Sequence, residues 1–344
     1  MKANKNTFHS SPAVLENAPL ILAEVEKAKS ILLHCHVNPD PDSVGSALAM
    51  KFILESVGKK VTVIRGDSEI PAAFDSFPGV KEIVPKNFFE IDLKEFDLFI
   101  ILDTGGPEMI SNKGKIVFPD SLNTIVIDHH ASNKGFGRMN LIDISSSSTA
   151  FVVFQLVKEW NVELTRDIAL NLFTGMYTDS GGFKYSPTDY RVLAAAAECA
   201  KIAPDYIDTI FTLENSSTKE ALYFKALALN SVETFCNDSV AIAAVSNLEL
   251  TAKHITSDII SGSDIANALK AVIGWNIGIL MTEIEPGKVK ISMRSRDSKA
   301  YDVSLLAVSL GGGGHKAAAA TCVKANIKEA KEQVVAKIKE LYNL

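Results

Sequence analysis

The chain has 344 residues, a formal net charge of −6 and a pI near 5.7, with 47% hydrophobic and 22% charged residues. This composition is typical of a globular protein and argues against disorder, and the length indicates two domains of roughly 100 to 200 residues each. The acidic balance argues against a protein that coats long duplex nucleic acid, because such proteins usually present a basic face.

The cysteines and the amino-terminal stretch indicate the compartment. The cysteines form no CxxC pair, so we expect neither a zinc ribbon nor a disulfide framework. The amino-terminal stretch lacks a long apolar core after its lysines, and no apolar run of about 18 residues follows. We therefore expect a cytoplasmic protein with no secretion signal and no membrane span.

The first part of the chain alternates predicted helices with short apolar strands. Nearly continuous apolar runs are typical of strands that are covered on both faces, as in parallel sheets. We therefore expect an α/β fold whose first domain contains a doubly wound, mostly parallel sheet. The predicted elements are helices over 16–29 and 43–57 and strands over 31–33, 60–64, 96–102 and 125–130.

Helical patterns dominate the segment that follows these strands. Ser186 and Pro187 are typical of an N-cap and a first-turn proline, and they predict a helix that continues to Ala200. A polar-faced helix over 205–230 then marks a linker. Further helices are predicted over 145–160 and 166–177.

Beyond the linker the pattern becomes rich in strands, which indicates a second, smaller α/β domain. A glycine run over 311–314 precedes His315 and Lys316 in this part of the chain. The expected division is a first domain over 1–204, a helical linker over 205–232 and a second domain over 233–344. Strands are predicted over 240–245, 277–282 and 288–293, and helices near 263–271 and over 326–342.

Acidic residues and histidines collect where the predicted elements of the first domain end. His36, Asp40 and Asp42 lie on an H-x-x-x-D-x-D spacing in the turn between the first strand and its helix. Ligand crevices form at the carboxyl ends of the strands in open α/β sheets, so we expect these ends to face one site. The candidate metal ligands are His36, Asp40, Asp42, Asp103, His129 and Asp179.

Carboxylates combined with a few imidazoles and no thiolates are typical of sites for hard divalent cations. The six side chains offer more ligands than one ion needs, so we expect two Mn²⁺ ions that share a carboxylate, with Mg²⁺ or another divalent ion as alternatives. Two ions about 3.5 to 4 Å apart form the clamp that assists phosphoryl transfer to water. The pattern therefore predicts phosphoester hydrolysis.

Several of these residues also have a purely structural interpretation. His34 is equally well a buried histidine that bonds to the backbone, and it is left out of the metal set. Asp42 before Ser43 is a candidate helix cap, and Asp103 is a candidate turn residue. The glycine run over 311–314 is also compatible with a helix C-cap and a turn.

Five motifs follow one another along the chain, namely HVNPDPD, ILDTGG, IDHH, YTDSGGF and GGGGHKAAAA. With these motifs nearly the whole chain resembles the DHH phosphoesterase family with its DHH-associated carboxy-terminal domain. Within that family it is similar to the nanoRNases or pAp phosphatases, which degrade very short oligonucleotides and 3′-phosphoadenosine 5′-phosphate (pAp). The resemblance implies an active site in the cleft between two α/β domains.

The resemblance also implies a role for each residue that matches a family motif. Asp103 would bridge the two metal ions, and the other five candidate ligands would complete their coordination. Asp128 would lie beside the metals, either as a ligand or as a residue that orients a histidine. His130 would meet the scissile phosphate as an acid or a charge stabiliser. The substrate-binding residues in the second domain would be Arg294, Arg296, Gly313, Gly314 and His315.

One departure from the family concerns the end of the glycine loop. The family loop usually ends in glycine, whereas this chain continues from His315 and Lys316 into four alanines that end at Ala320. If that last position needs a positive φ, alanine would strain the backbone there and weaken the grip on the substrate.

We therefore expect a metal-dependent hydrolase that releases 5′-mononucleotides from very short RNAs and accepts pAp as a second substrate. The alternative is a phosphodiesterase for linear or cyclic dinucleotides, and a third hypothesis is a nucleotide-binding sensor with weakened catalysis. Inorganic pyrophosphatase is disfavoured because its relatives carry a different carboxy-terminal domain. The expected partners are short single-stranded RNA or small nucleotides, and a homodimer is left open.

Overall fold

The structure, a computed structural model, describes residues 8–261 and 263–344. The chain divides into two compact units, with the boundary between Ser216 and Ser217 inside the expected linker. Each unit has its own sheet and its own hydrophobic core. In the described part of the chain, no helix combines the length and the apolar character that a transmembrane span requires.

The first unit is built on a parallel sheet, as the apolar runs predict. The sheet lies between two hydrophobic layers, because alternate strand residues contribute to two separate cores. The edge strand Met139–Ile142 has a single buried side chain, so its sequence lacks the apolar pattern by which a strand is predicted. The strands are β1 (Ser30–His34), β2 (Lys60–Ile64), β3 (Leu98–Leu102), β4 (Asn123–Asp128) and β5 (Met139–Ile142), in the order β2, β1, β3, β4, β5.

Helices cover one face of this sheet, and the part of the connection between β2 and β4 that begins near Phe88 covers the other. That connection contains only short 3₁₀ helices and β3, and it packs Phe88, Phe96 and Ile110 against the strands. The α/β class and the parallel sheet are confirmed. The helices are α1 (Pro12–Lys27), α2 (Pro41–Ser56), α3 (Thr149–Glu159), α4 (Arg166–Asp179), α5 (Tyr190–Ile202) and α6 (Tyr206–Glu214).

Several predicted helix boundaries are wrong: α1 begins at Pro12 instead of residue 16, and α3 begins at Thr149 instead of residue 145. Two further differences have a clear physical reason. Helix α5 begins at Tyr190, because the Asp189 carboxylate accepts from the first free backbone N–H groups, and Ser186 and Pro187 lie in the preceding turn. The helix predicted over 205–230 is interrupted after α6, and Thr218 caps a new helix with its side chain. In both helices the residue whose side chain caps the free backbone N–H groups, rather than the spacing of apolar residues, marks where the helix begins.

The second unit contains a mixed sheet of six strands, of which β6, β10 and β11 were not predicted. Only β7 and β8 pair in parallel. Its strands are β6 (Glu233–Phe235), β7 (Val240–Val245), β8 (Ile277–Glu285), β9 (Lys288–Ser295), β10 (Gly313–His315) and β11 (Ala318–Val323), in the order β10, β11, β9, β8, β7, β6. Its helices are α7 (Lys219–Asn230), α8 (Asn247–Ala252), α9 (Ser257–Ser261), α10 (Ile265–Lys270), α11 (Val303–Ser309) and α12 (Ile327–Tyr342).

Candidate metal centre

The candidate metal ligands of the first unit converge at the carboxyl edge of its sheet. His36 lies just beyond β1, Asp103 and His129 directly follow β3 and β4, and Asp179 is the last residue of α4. Parallel strands bring their carboxyl ends to one edge, so residues far apart in sequence meet there. The structure brings all six predicted ligands into this one region.

Asp103 lies at the centre of the cluster, and its two carboxylate oxygens face different partners. Its Oδ2 lies 3.6 Å from His36 Nε2, which is also 3.6 Å from Asp40 Oδ2. Its Oδ1 lies 3.7 Å from His129 Nε2, which is 3.3 Å from Asp179 Oδ2. The ligand atoms thus form two neighbouring groups, and Asp103 presents one oxygen to each.

The imidazoles of the cluster present a free ring nitrogen to the carboxylates. The Nδ1 of His36 bonds to the Val37 carbonyl at 2.8 Å, so in the neutral ring the proton is on Nδ1 and Nε2 carries the lone pair. The Nε2 of His129 is buried and has no hydrogen-bond partner among the described residues. A buried nitrogen without a partner, surrounded by carboxylate oxygens, fits a divalent cation.

Asp40 and Asp42 are both held by helix starts, and the N-cap of α2 is Asp40 rather than Asp42, for which a cap was the alternative interpretation. Asp40 is the N-cap of α2 and accepts from the Ser43 N–H at 2.9 Å. Asp42 instead accepts from the N–H groups of Thr149 at 2.7 Å and Ala150 at 2.9 Å, at the start of α3. The helix start stabilises this buried negative charge through its free N–H groups.

Two small details of the helices place the carboxylates, and sequence reasoning missed both. The Thr149 hydroxyl donates to Asp103 Oδ1 at 3.0 Å and so connects α3 with the central carboxylate. A Cβ on Gly175 in α4 would lie 2.6 Å from Asp42 Oδ1 and 2.7 Å from the Ala150 Cβ. Only glycine therefore allows α4 to pack this closely beside Asp42.

The concentration of buried carboxylates makes the ionised state unfavourable in the metal-free protein. Burial, followed by the charge of Asp179, raises the pKa of Asp42 to about 7. Burial and the charge of Asp40 raise the pKa of Asp179 to about 6, and burial with Asp42 and Asp40 raises the pKa of Asp103 well above its usual range. A bound divalent cation supplies the missing positive charge.

His130 forms a separate hydrogen-bonded chain at the rim of the cluster. Its Nδ1 lies 2.8 Å from Asp128 Oδ1, and this hydrogen bond raises the pKa of His130. The other oxygen of Asp128 accepts from Asn133 Nδ2 at 2.7 Å, and the same amide donates to the Thr104 carbonyl at 2.9 Å. Asp128 is buried, whereas about 46% of the His130 side chain is exposed. Sequence reasoning missed Asn133, which has no motif of its own.

His34 is a buried structural histidine, in agreement with its exclusion from the metal set. Its Nε2 lies 3.2 Å from the Thr104 hydroxyl, and its ring packs edge-on against Phe99. Burial lowers the pKa of His34 to about 3, so the ring is neutral.

A cleft of about 560 Å³ opens over the cluster within the first unit. His36, Asp40, Asp103, His130 and Asp179 line its floor and walls. Its volume falls in the range of small-molecule sites, which is roughly 300 to 1,000 Å³. The cleft therefore gives a small molecule access to His36, Asp40 and Asp103 of one group of ligand atoms and to Asp179 of the other.

The predicted substrate-binding residues lie in the second unit. Arg294 on β9 and His315 on β10 both flank Ala318 of β11, so they belong to one row across the sheet. The Arg296 guanidinium instead donates to three carbonyls at the end of α10. These bonds tie Arg296 to the backbone at the end of α10, and its contact with a substrate stays a prediction.

The glycine run over 311–314 ends one helix and begins a short strand, and its role in substrate binding stays a prediction. Gly311, with φ of 80°, terminates α11, whereas Gly313 and Gly314 belong to the short strand β10. Gly314 has a φ of 141°, which favours glycine. Ala320 lies in β11, where it pairs with Gly313 of β10 and Ser292 of β9. It is not among the described residues with a positive φ, so the expected backbone strain at this position does not arise.

Comparisons with known proteins match both units. A model of the DHH family, N-terminal domain, matches residues 30–176, and a model of the DHHA1 domain matches residues 237–343. The bifunctional oligoribonuclease and PAP phosphatase NrnA of Thermus thermophilus is 27% identical over 324 residues, which cover 93% of each chain. The cyclic-di-AMP phosphodiesterase PdeA of Listeria monocytogenes is 25% identical over 91% of this chain and 48% of its own length.

The fold of the whole chain also has a counterpart among solved structures. The crystal structure of an exopolyphosphatase-related protein from Bacteroides fragilis matches with a TM-score of 0.85 and 25% identity. The match covers 96% of this chain and 98% of the other. With its two domain matches, the chain belongs to the DHH family and joins a DHH N-terminal domain to a DHHA1 domain.

Proposed function

We propose that this protein is a metal-dependent phosphohydrolase that degrades very short oligoribonucleotides to 5′-mononucleotides and also dephosphorylates pAp. The observation that carries the proposal is the position of Asp103, which presents one oxygen to each of two groups of ligand atoms. The similarity to the Thermus NrnA over 93% of both chains favours these substrates over other phosphoesters.

The geometry supports a centre for two divalent cations, for which we propose Mn²⁺. His36 and Asp40 would hold one ion and Asp42, His129 and Asp179 the other, with Asp103 shared between them. When bound, the two cations supply Lewis acidity and positive charge for an in-line displacement at phosphorus. The donors are oxygen and imidazole nitrogen, which suit Mn²⁺ or Mg²⁺ better than thiolate-binding ions.

The side chains of the first unit bind and orient the reacting groups. The hydrogen bond with Asp128 raises the pKa of His130 and so favours the protonated ring, and Asp128 holds that ring through Nδ1. Protonated His130 can then stabilise charge on a phosphoryl oxygen from Nε2. Asn133 and the buried position of Asp128 keep this ring in one orientation.

In the second unit we propose that Arg294 and His315 contact the substrate. No carboxylate pairs with the half-buried Arg294 guanidinium in the described part of the chain, so it is available to an anion. The Cβ position of Gly313 is open space, and Gly314 follows it, so the backbone of this loop allows a phosphate to approach closely. Arg296 would act indirectly, through the end of α10.

A second candidate function is the hydrolysis of linear or cyclic dinucleotides. The similarity to the Listeria PdeA supports it, although this chain spans about half of that protein. The sensor hypothesis required a missing ligand, and the described site contains all six predicted ligand side chains.

The test is product release from 5′-labelled RNAs of about two to twenty-four nucleotides, with Mn²⁺ or Mg²⁺, alongside pAp and cyclic di-AMP. We expect rapid mononucleotide release from the shortest RNAs, phosphate release from pAp, and neither in an Asp103→Ala control. Turnover of cyclic di-AMP alone would favour the second candidate. Absence of turnover with every substrate would contradict an enzymatic function.

A further inference from the structure

The end of α10 is fixed on the sheet of the second unit by two specific contacts. A Cβ on Gly278 of β8 would lie only 2.8 Å from the Lys270 backbone nitrogen, so glycine alone lets α10 approach the strand. The Arg296 Nη1 donates to the carbonyls of Lys270, Ala271 and Val272 at 3.0 to 3.2 Å. Both contacts hold the last residue of the helix, Lys270, in one place.

This placement brings Lys270 next to Arg294. Gly278 pairs directly with Arg294 in the antiparallel β8–β9 ladder, and directly opposed residues share one face of a sheet. Burial and the charge of Arg294 lower the pKa of Lys270, and burial lowers that of Arg294. Neither side chain has a carboxylate partner within ion-pair distance in the described ranges 8–261 and 263–344.

Two half-buried like charges without a counter-anion destabilise a fold unless a ligand compensates them. The sheet surface beside them is suited to a ligand. Helix α10 covers β7 and β8 through Ala266 and Leu269, whereas Ala320 and His315 farther along the same face are exposed. The small side chain of Ser292 lies between these two parts of the face.

We propose that Lys270 is a further substrate-binding residue, which together with Arg294 binds a non-scissile terminal phosphate of the nucleotide. A terminal phosphomonoester carries a charge of about −1.5 to −2 at neutral pH, whereas an internal diester carries one negative charge. Two adjacent cations therefore match the terminal group better. The inference rests on the proposed function, because it takes the substrate to be a short nucleotide.

The chemistry of the two proposed substrates supports a 5′-phosphate as this group. In pAp and in a 5′-phosphorylated dinucleotide, one nucleoside carries the scissile phosphorus on its 3′-oxygen and a second phosphate on its 5′-oxygen. A site for the 5′-phosphate would hold both substrates in the same register. It would explain how one metal centre accepts a phosphomonoester and a phosphodiester.

The test compares hydrolysis of pApA and ApA, which differ only in the 5′-phosphate, by the full-length protein with Mn²⁺. Lys270→Gln should lower kcat/KM for pApA by roughly ten- to a hundredfold, through KM, and leave ApA nearly unchanged. Lys270→Arg keeps the charge and should retain most of the preference. Lys337→Gln is the matched control, because Lys337 lies on α12, which packs on the opposite face of the sheet.

Binding of the methylphosphonate analogues of pApA and ApA, which are not cleaved, separates this inference from the proposed function. Tighter binding of the 5′-phosphorylated analogue that is lost in Lys270→Gln would support the inference even without turnover. Equal turnover of pApA and ApA by the wild type, or equal losses for both in Lys270→Gln, would overturn it while leaving the proposed function intact.

Discussion

His130 Nδ1 and Asp128 Oδ1 lie 2.8 Å apart, and this hydrogen bond is the main cause of the raised pKa of His130. In Asp128→Asn the ring loses that support, so its pKa should fall. Activity that needs protonated His130 disappears as the pH rises through its pKa. We therefore expect the alkaline limb of the kcat profile to move to lower pH and kcat at neutral pH to fall by roughly ten- to a hundredfold.

The measurement is a pH profile of kcat for the shortest RNA that the wild type hydrolyses. Asn133→Ala, which removes a bond to the other oxygen of Asp128, should give a smaller shift in the same direction. An alkaline limb that stays in place in Asp128→Asn would contradict the role given to this pair.

Asp103 faces both groups of ligand atoms, so its loss should affect two ions at once. In Asp103→Asn we expect metal content to fall and kcat to decrease by about a thousandfold, since two-ion clamps stabilise transition states by several kcal/mol. Metal analysis and steady-state rates test this. The control is Glu163→Gln, an exposed carboxylate away from the site, and a fully active Asp103→Asn protein would refute the shared position.

Metal removal should destabilise the first unit most at high pH. The raised folded-state pKa values, about 7 for Asp42 and about 6 for Asp179, mean that the metal-free fold retains protons that the unfolded chain loses above about pH 4. Stability of the metal-free protein should therefore fall as the pH rises from 4 to 7. Added Mn²⁺ should raise the Tm by about 5 °C or more at pH 8 and by much less at pH 5.

Thermal unfolding with EDTA or with Mn²⁺ at the two pH values measures this difference. The Asp103→Asn protein serves as the control, since it should gain little from Mn²⁺ at either pH. A metal effect of equal size at pH 5 and pH 8 would be inconsistent with buried carboxylates as the ligands.

His34 should make the fold sensitive to acid. Its pKa is about 3 in the folded protein and near 6.5 in the unfolded chain, so its contribution is complete above pH 6.5 and is lost as the pH falls. At pH 5 the loss amounts to about 2 kcal/mol. A leucine beside Phe99 does not titrate, so His34→Leu should lose less free energy of unfolding between pH 7.5 and 5 than the wild type. Urea unfolding at both pH values provides the comparison, and identical losses would exclude this role.

The sequence predicted the elements that are buried on both sides and the residues at their ends. The predicted run over 96–102 contains β3, and the run over 240–245 matches β7, because strands that are buried on both faces leave a nearly continuous apolar signal. The six ligand residues converge because each lies at or near the start or the end of an element that the pattern located. Their roles as ligands remain predictions.

The remaining features depend on tertiary contacts that local patterns do not encode. The alanine run of β11 has weak strand propensity, and its pairing with β9 makes it a strand. The loop after β4 brings Asn133 within hydrogen-bonding distance of Asp128. Lys270 lies near Arg294 because Gly278, which pairs with Arg294, lets α10 approach the sheet. Asn133, Lys270 and Gly278 belong to no motif, so composition and spacing gave no reason to select them.

The ligands of the candidate centre are spread over 144 residues, from His36 to Asp179, and their carboxylates are held by α2, α3 and α4. During synthesis the ribosome must therefore release the chain beyond Asp179 before the set of ligands is complete. An unfinished chain that ends earlier lacks a coordinating group, so hydrolytic activity begins only after the first unit has been made.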